Sequence, residues 1–184
     1  MVFRTLLLLF VAFPAFGAEV AGVKIPDTDQ QLVLNGAGLR KRAFFQVYAI
    51  GLYLPERRLL AAEAIAATGP KRIAIYMLRD VDADQFSGAL ADGIKDNHSE
   101  AEAKALEPRV KQLAAIMAEM KEAKKGMRIT LDWIPAAGTQ VTVDAKATGV
   151  PIPGEDFYRA LLRIWLGENP VQADVKKALL GEKP

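Results

Sequence analysis

The sequence predicts an α+β fold in which a large antiparallel sheet is covered by a layer of helices. One observation predicts it and two bound it. The apolar pattern runs as strands, then helices, then a hairpin, then helices, not as the strand–helix alternation of a parallel α/β fold. The 184 residues are 51% hydrophobic and 25% charged, enough for one well-buried core, with no linker, repeat or low-complexity segment. Cysteine is absent and His98 is the lone histidine, so the sequence lacks the residues for disulfides, a His/Cys zinc site or haem held by a His pair.

Residues 1–18 read as a secretory signal peptide. Arg4 supplies the positive start, Thr5 to Phe16 an apolar stretch interrupted by Pro14, and Ala15, Gly17 and Ala18 the small residues of a cleavage site. The stretch is shorter than the ~20 residues a membrane span needs. No cysteine follows it, which excludes a lipid-anchored lipoprotein. Residues 19–184 then form one exported, soluble domain, suited to a bacterial periplasm.

Gly22–Ile25 and Gln31–Leu34 are short strands around the turn-like Pro26-Asp27. Ala43–Leu54 is a longer one, rich in aromatic and β-branched residues and ended by Pro55. Leu59–Ala67 is a short helix closed by Gly69-Pro70. Lys71–Leu78 alternates with Ile73, Ile75 and Met77 on one face, a half-buried strand.

Asp82 caps a helix that carries Phe86, Leu90 and Ile94 on one side. Ser99 and Glu102 form a capping box for the next, whose stripe is Leu106, Val110, Leu113, Met117 and Met120. Pro108 is expected to kink it or start a new segment, and Gly126 to close it. Met127–Ile134 and Thr139–Ala145 form an antiparallel pair, followed by an extended Gly149–Ile152. Helices over Glu155–Leu166 and Ala173–Leu180 end at Gly167 and Gly181.

Charge says little about partners. With 24 basic and 22 acidic residues the chain has no basic stripe for nucleic acid. Arg40-Lys41-Arg42 and Arg57-Arg58 read as solvated turns, and Lys121, Lys124 and Lys125 as cations at a helix C-terminus. Gly36-Ala-Gly38-Leu-Arg40 lacks the third glycine and following helix of a dinucleotide loop. Asp80, Asp82 and Asp84 lack the glycine and glutamate of a calcium loop, having Gln85 and Ala91 there. His98 reads as a surface residue, and core packing is expected for Phe44, Phe45, Phe157 and Trp165.

The Gly36-Ala-Gly38-Leu-Arg40 loop and the strand Val47-Tyr-Ala-Ile-Gly-Leu-Tyr-Leu54 resemble the corresponding region of chalcone isomerases and their non-catalytic relatives. Met77 to Ser87 is similar to that family's strand-to-helix passage, and Gly149–Gly154 through Ile164–Gly167 to its hairpin-to-helix end. The resemblance spans roughly Gly22 to Leu180. It implies an open-faced β-sandwich with a ligand cleft between sheet and helices.

Residue by residue, the family's arginine maps to Arg40. The catalytic threonine of the plant enzymes maps to Tyr48, their tyrosine to Phe86, their asparagine to Gly93, their lysine to Met77 and a late Ser/Thr to Ile164. Only the arginine survives, so the implied pocket is more apolar. Arg40 with Tyr48 is the pairing expected in relatives that bind fatty acids, where the two hold the carboxylate and the chain lies between sheet and helices.

The resemblance thus implies a binder of a fatty acid or similar apolar carboxylate, without catalysis and without a cofactor, and the signal-peptide pattern makes it an exported one. Its ligand residues would be Arg40, Tyr48, Met77, Phe86 and Ile164. An isomerase or intramolecular lyase using Arg40 against an enolate-like oxygen is the alternative; it would draw on Tyr48, while alternation turns Tyr76 away from Met77. An envelope protein-interaction module without a small ligand is the third reading; it expects a filled cleft and an exposed apolar patch. Arg40 and Tyr48 are eight residues apart in the sequence. On one strand they would lie ~26 Å apart, so a turn near Lys41-Arg42-Ala43 must bring them together.

Overall fold

The structure, a computed structural model, describes residues 17–182. Most of the expected signal peptide, residues 1–16, lies outside them. Strands β1 (Ala18–Val20) and β2 (Val23–Ile25) form a small ribbon. Then come β3 (Thr28–Asp29), β4 (Leu32–Arg42), β5 (Phe45–Leu54), helix α1 (Ala61–Ala66) and β6 (Lys71–Met77). β7 (Val81–Asp82) leads into α2 (Ala83–Lys95) and α3 (Glu100–Ala118), and β8 (Glu122–Ala123) returns to pair with β7. The meander β9 (Arg128–Ile134), β10 (Gly138–Val143) and β11 (Lys146–Ile152) precedes α4 (Glu155–Leu166) and α5 (Ala173–Leu179).

Seven strands make one antiparallel sheet in the order β11-β10-β9-β6-β5-β4-β3. Strand alternation divides its faces. Tyr48, Ile50, Leu52, Ile73, Ile75 and Met77 join Ile129, Leu131 and Trp133 in the main core with the helices. Ala49, Tyr53 and Ala74 face the other way, packed beneath Ile25 of the β1–β2 ribbon. Helix α4 fills the middle of the main core: Phe157, Tyr158, Leu161, Ile164 and Trp165 are all buried.

The predicted architecture and most elements are present, and the differences have physical causes. The segment Gly36–Arg40, read as a loop, is the middle of β4. Its glycines serve close packing. A Cβ on Gly36 would collide with the Ala178 carbonyl of α5, and one on Gly38 would stand 3.1 Å from the Ala178 Cβ. Glycine weakens a strand but admits another backbone to it, and here α5 lies directly on β4.

Helix α3 continues through Pro108 without a break in its span. Pro108 and Lys104, whose carbonyl loses its bond, are both exposed, so water can serve that carbonyl. The helix ends at Ala118, earlier than its apolar stripe suggested, and Gly126 (φ 90°) instead turns the chain into β9. Phe44 and Phe45, expected in the core, stand 100% and 59% exposed at the β4–β5 turn.

Candidate ligand-binding site

The β4–β5 hairpin turns at Ala43–Phe44, and its register sets Arg40 directly opposite Tyr48. The chain thus folds back where the spacing required. A register shift between Arg40 and Lys41 leaves Val47 as the extra residue on β5. Bulges re-aim side chains and release ladder donors. Here the freed Lys41 N–H bonds to Gln172 Oε1 at 2.9 Å.

Gln172, just before α5, clamps this strand end. Its Oε1 also accepts from Arg40 Nη1 at 3.3 Å, and its Nε2 donates to the Leu39 carbonyl at 3.3 Å. Arg40 donates a further bond to the Lys41 carbonyl. Both bonds are made by Nη1, so the guanidinium is held at one nitrogen while remaining partly exposed.

Tyr48 is buried, and its hydroxyl accepts a bond from Trp165 Nε1 at 3.0 Å. No acceptor for the hydroxyl's own proton occurs among the described residues. Burial raises the phenol's pKa, opposed by the Trp165 bond and the nearby Arg40 charge. It stays a protonated donor at neutral pH. Its ring meets Phe86 edge-on, with centroids 6.4 Å apart.

Beside this pair lies a cavity of about 710 Å³ between the sheet end, α2 and the segment from α4 to α5. Arg40, Tyr48, Phe86 and Ile164 line it, with Leu90 and Val171 adding apolar wall. The residue expected from sequence that does not reach it is Met77. It is 1% exposed and absent from the lining: it shares the sheet face of Tyr48 but is packed within the main core. Gly93 explains the close helix packing here: a Cβ would stand 2.8 Å from Ile164 Cγ2. Asp92, Asp96 and Glu168 edge the cavity, and Arg40 and Arg42 supply its cations.

A second cavity, of about 760 Å³, lies around the α2–α3 turn, α1 and α4. Its polar groups bond largely among themselves. His98, read as a surface residue, is half-buried there. Its Nδ1 lies 2.7 Å from the Ile94 carbonyl, which makes that nitrogen the donor, and Nε2 accepts from Arg163 Nη1 at 2.9 Å. Lys176 Nζ donates to the Gly167 carbonyl. Tyr76, as alternation predicts, is on the opposite face of the sheet, under the Arg128 guanidinium.

The chalcone isomerase-like family model matches residues 17–181. The chain belongs to the chalcone isomerase-like family. Among solved structures, a fatty-acid binding protein of Arabidopsis thaliana superposes with a TM-score of 0.68 at 16% identity. The match covers 86% of this chain and 92% of that one, and it establishes the chalcone isomerase fold. No curated protein matches in sequence.

Within this family frame, sequence reading missed Trp165 as the partner of Tyr48, and Gln172 altogether. Gln172 is 132 residues from Arg40, and Trp165 is 117 from Tyr48. No local pattern links residues so far apart.

Proposed function

We propose that this chain is an exported binder of a fatty acid or similar apolar carboxylate, with the carboxylate at Arg40 and Tyr48 and the chain along Phe86, Leu90 and Ile164. The observation that carries the reading is a buried hydroxyl donor lacking an acceptor, set beside a partly exposed guanidinium. Arg40 faces Tyr48 across one hairpin register, and the Tyr48 proton has no acceptor among the described residues. A guanidinium and a phenol together match a carboxylate. The Arabidopsis thaliana protein of the same fold is itself a fatty-acid binding protein, which supports the choice.

The cavity volume of about 710 Å³ falls in the range of small-molecule sites, roughly 300–1,000 Å³. Ten methylenes contribute on the order of 8 kcal/mol gross at ~0.8 kcal/mol each. Ordering and association costs offset much of this, so micromolar binding is expected. The tail supplies affinity; Arg40 selects an acid and fixes its direction. The carboxylates of Asp92, Asp96 and Glu168 in the lining repel an anionic head, which leaves the Arg40 end as the favourable place for it.

Titration of the protein and its Arg40→Ala variant with dodecanoate and dodecanol, read by calorimetry and native mass spectrometry, tests this. The wild type should bind dodecanoate and prefer it to the alcohol. Arg40→Ala should weaken dodecanoate about tenfold or more, the worth of a hydrogen bond to a charged group, and abolish that preference. A wild type that takes up no dodecanoate, or a variant that binds it equally well, overturns the proposal.

A further inference from the structure

We infer that the tip of the β4–β5 hairpin docks on an anionic lipid surface, with Phe44 entering the headgroup boundary and a ring of basic side chains holding the phosphates. Phe44 is the most exposed large apolar residue described, at 100%, and its neighbour Phe45 is 59% exposed. Scattered apolar side chains on a surface need no explanation. These two are adjacent and sit on a projecting turn, where Gly, Asn and Asp are favoured. Ala43, at φ 51°, occupies the left-handed position that glycine would fill without strain. Neither the sheet nor the core uses Phe44.

The surroundings are basic. Lys41 and Arg42 flank the turn, and the Arg79 guanidinium lies over the Phe45 ring at 4.7 Å. Lys124 and Lys125 join them from the β8–β9 loop. That loop is tied to the end of β6, where Gly126 N–H donates to the Met77 carbonyl at 2.8 Å. All five cations are exposed, and none forms an ion pair among the described residues.

The carboxylates nearby are engaged with backbone instead. Asp80 accepts from Lys125 N–H, Asp82 from the first N–H groups of α2, and Asp144 from Arg128 N–H. Those bonds fix the three carboxylates without neutralising them, but the five cations outnumber them, so the balance of charge around the aromatic tip is positive. An interface with a folded protein is depleted of lysine at its centre and needs about 800 Å² per partner. A narrow aromatic point ringed by lysine and arginine instead fits a surface that Phe can enter while long cationic side chains reach anionic headgroups.

Arg42 and Val47 belong both to this end and to the cavity wall, so docking places the cavity mouth against the lipid. That last consequence rests on the fatty-acid reading; docking itself does not.

The test uses the Phe44→Trp chain with vesicles of phosphatidylglycerol and phosphatidylcholine, some carrying brominated acyl chains. The introduced indole should shift to the blue and be quenched on anionic vesicles, and should remain unquenched on phosphatidylcholine alone. Removing three cations, as Lys41→Ala, Lys124→Ala and Lys125→Ala together, should weaken partitioning on the order of 100-fold, at about fivefold per charge. An indole that stays unquenched on anionic vesicles overturns the inference, as does equal quenching on neutral ones. Dodecanoate titration of Phe44→Ser in vesicle-free buffer keeps the two ideas apart. Uptake there depends on the cavity alone and should match the wild type, whatever the vesicles show.

Discussion

The Tyr48 hydroxyl accepts from the Trp165 indole at 3.0 Å, which leaves its proton for a partner outside the core. Tyr48→Phe removes both bonds at once. It should weaken dodecanoate about fivefold and, by leaving the buried indole N–H unpaired, cost about 1–3 kcal/mol of stability, measured by calorimetry and thermal denaturation. At the other end of the sheet, buried Lys71 donates to Glu155 at 2.9 Å. Burial lowers the pKa of Lys71, while the Lys71 bond lowers that of Glu155 below the usual carboxylate range. Between the folded and unfolded values of Glu155, the unfolded chain binds more protons. Its contribution is therefore complete above the unperturbed value of 4.5 and is lost as pH falls through the lowered one. Thermal melts across pH 3–6 should show a smaller acid-side drop in Glu155→Gln than in the wild type. Arg40 and Tyr48 were legible because each belongs to a local motif. Trp165 was legible only as an apolar core residue, since its indole donor finds its acceptor through the tertiary fold.

Elements meet here through positions that admit no side chain. Helices α2 and α4 cross at Gly93 and Ile164, where a Cβ would stand 2.8 Å from Ile164 Cγ2. Gly93→Ala should therefore cost about 1–3 kcal/mol by overpacking. Ile164→Ala alone should cost about 2–5 kcal/mol. In the double variant the freed space accommodates the new methyl, so the combined loss should fall short of the sum by about 1 kcal/mol in a denaturant-melt cycle. The same principle explains why β4 was read too short. Gly36 and Gly38 carry a turn's composition, and their role appears only when α5, more than 130 residues later in sequence, lies across them. Helices were more legible because their signals are local. The Ser99–Glu102 capping box and the Asp82 cap form as the residues predict.

The molecule as a whole has one thick face and one thin one. The thin side relies on the β1–β2 ribbon and on a buried ionic cluster. Arg72 Nε and Nη2 bond Asp132 at 2.5 and 3.0 Å, and Nη1 reaches Asp29 at 2.6 Å. Thr130 adds a bond to the Asp132 carboxylate at 2.8 Å. Burial works against the Arg72 charge, and the two carboxylates outweigh it. Asp132→Ala leaves Arg72 only partly compensated and should cost about 3–5 kcal/mol. That is roughly 6–20 °C in midpoint at about 2–4 °C per kcal/mol, read by scanning calorimetry. This cluster was invisible in the sequence because its members are spread from Asp29 to Asp132.

The Gln172 clamp has a temporal consequence. Arg40 and its strand leave the ribosome early, but the residue that orients the guanidinium and the helix that covers β4 emerge more than a hundred residues later. Until they arrive, β4 offers neighbouring chains an unshielded strand and its arginine has no fixed aim. The proposed recognition of an acid would thus mature only once the last helix is in place, and a chain stopped before residue 172 would be sticky before it was selective.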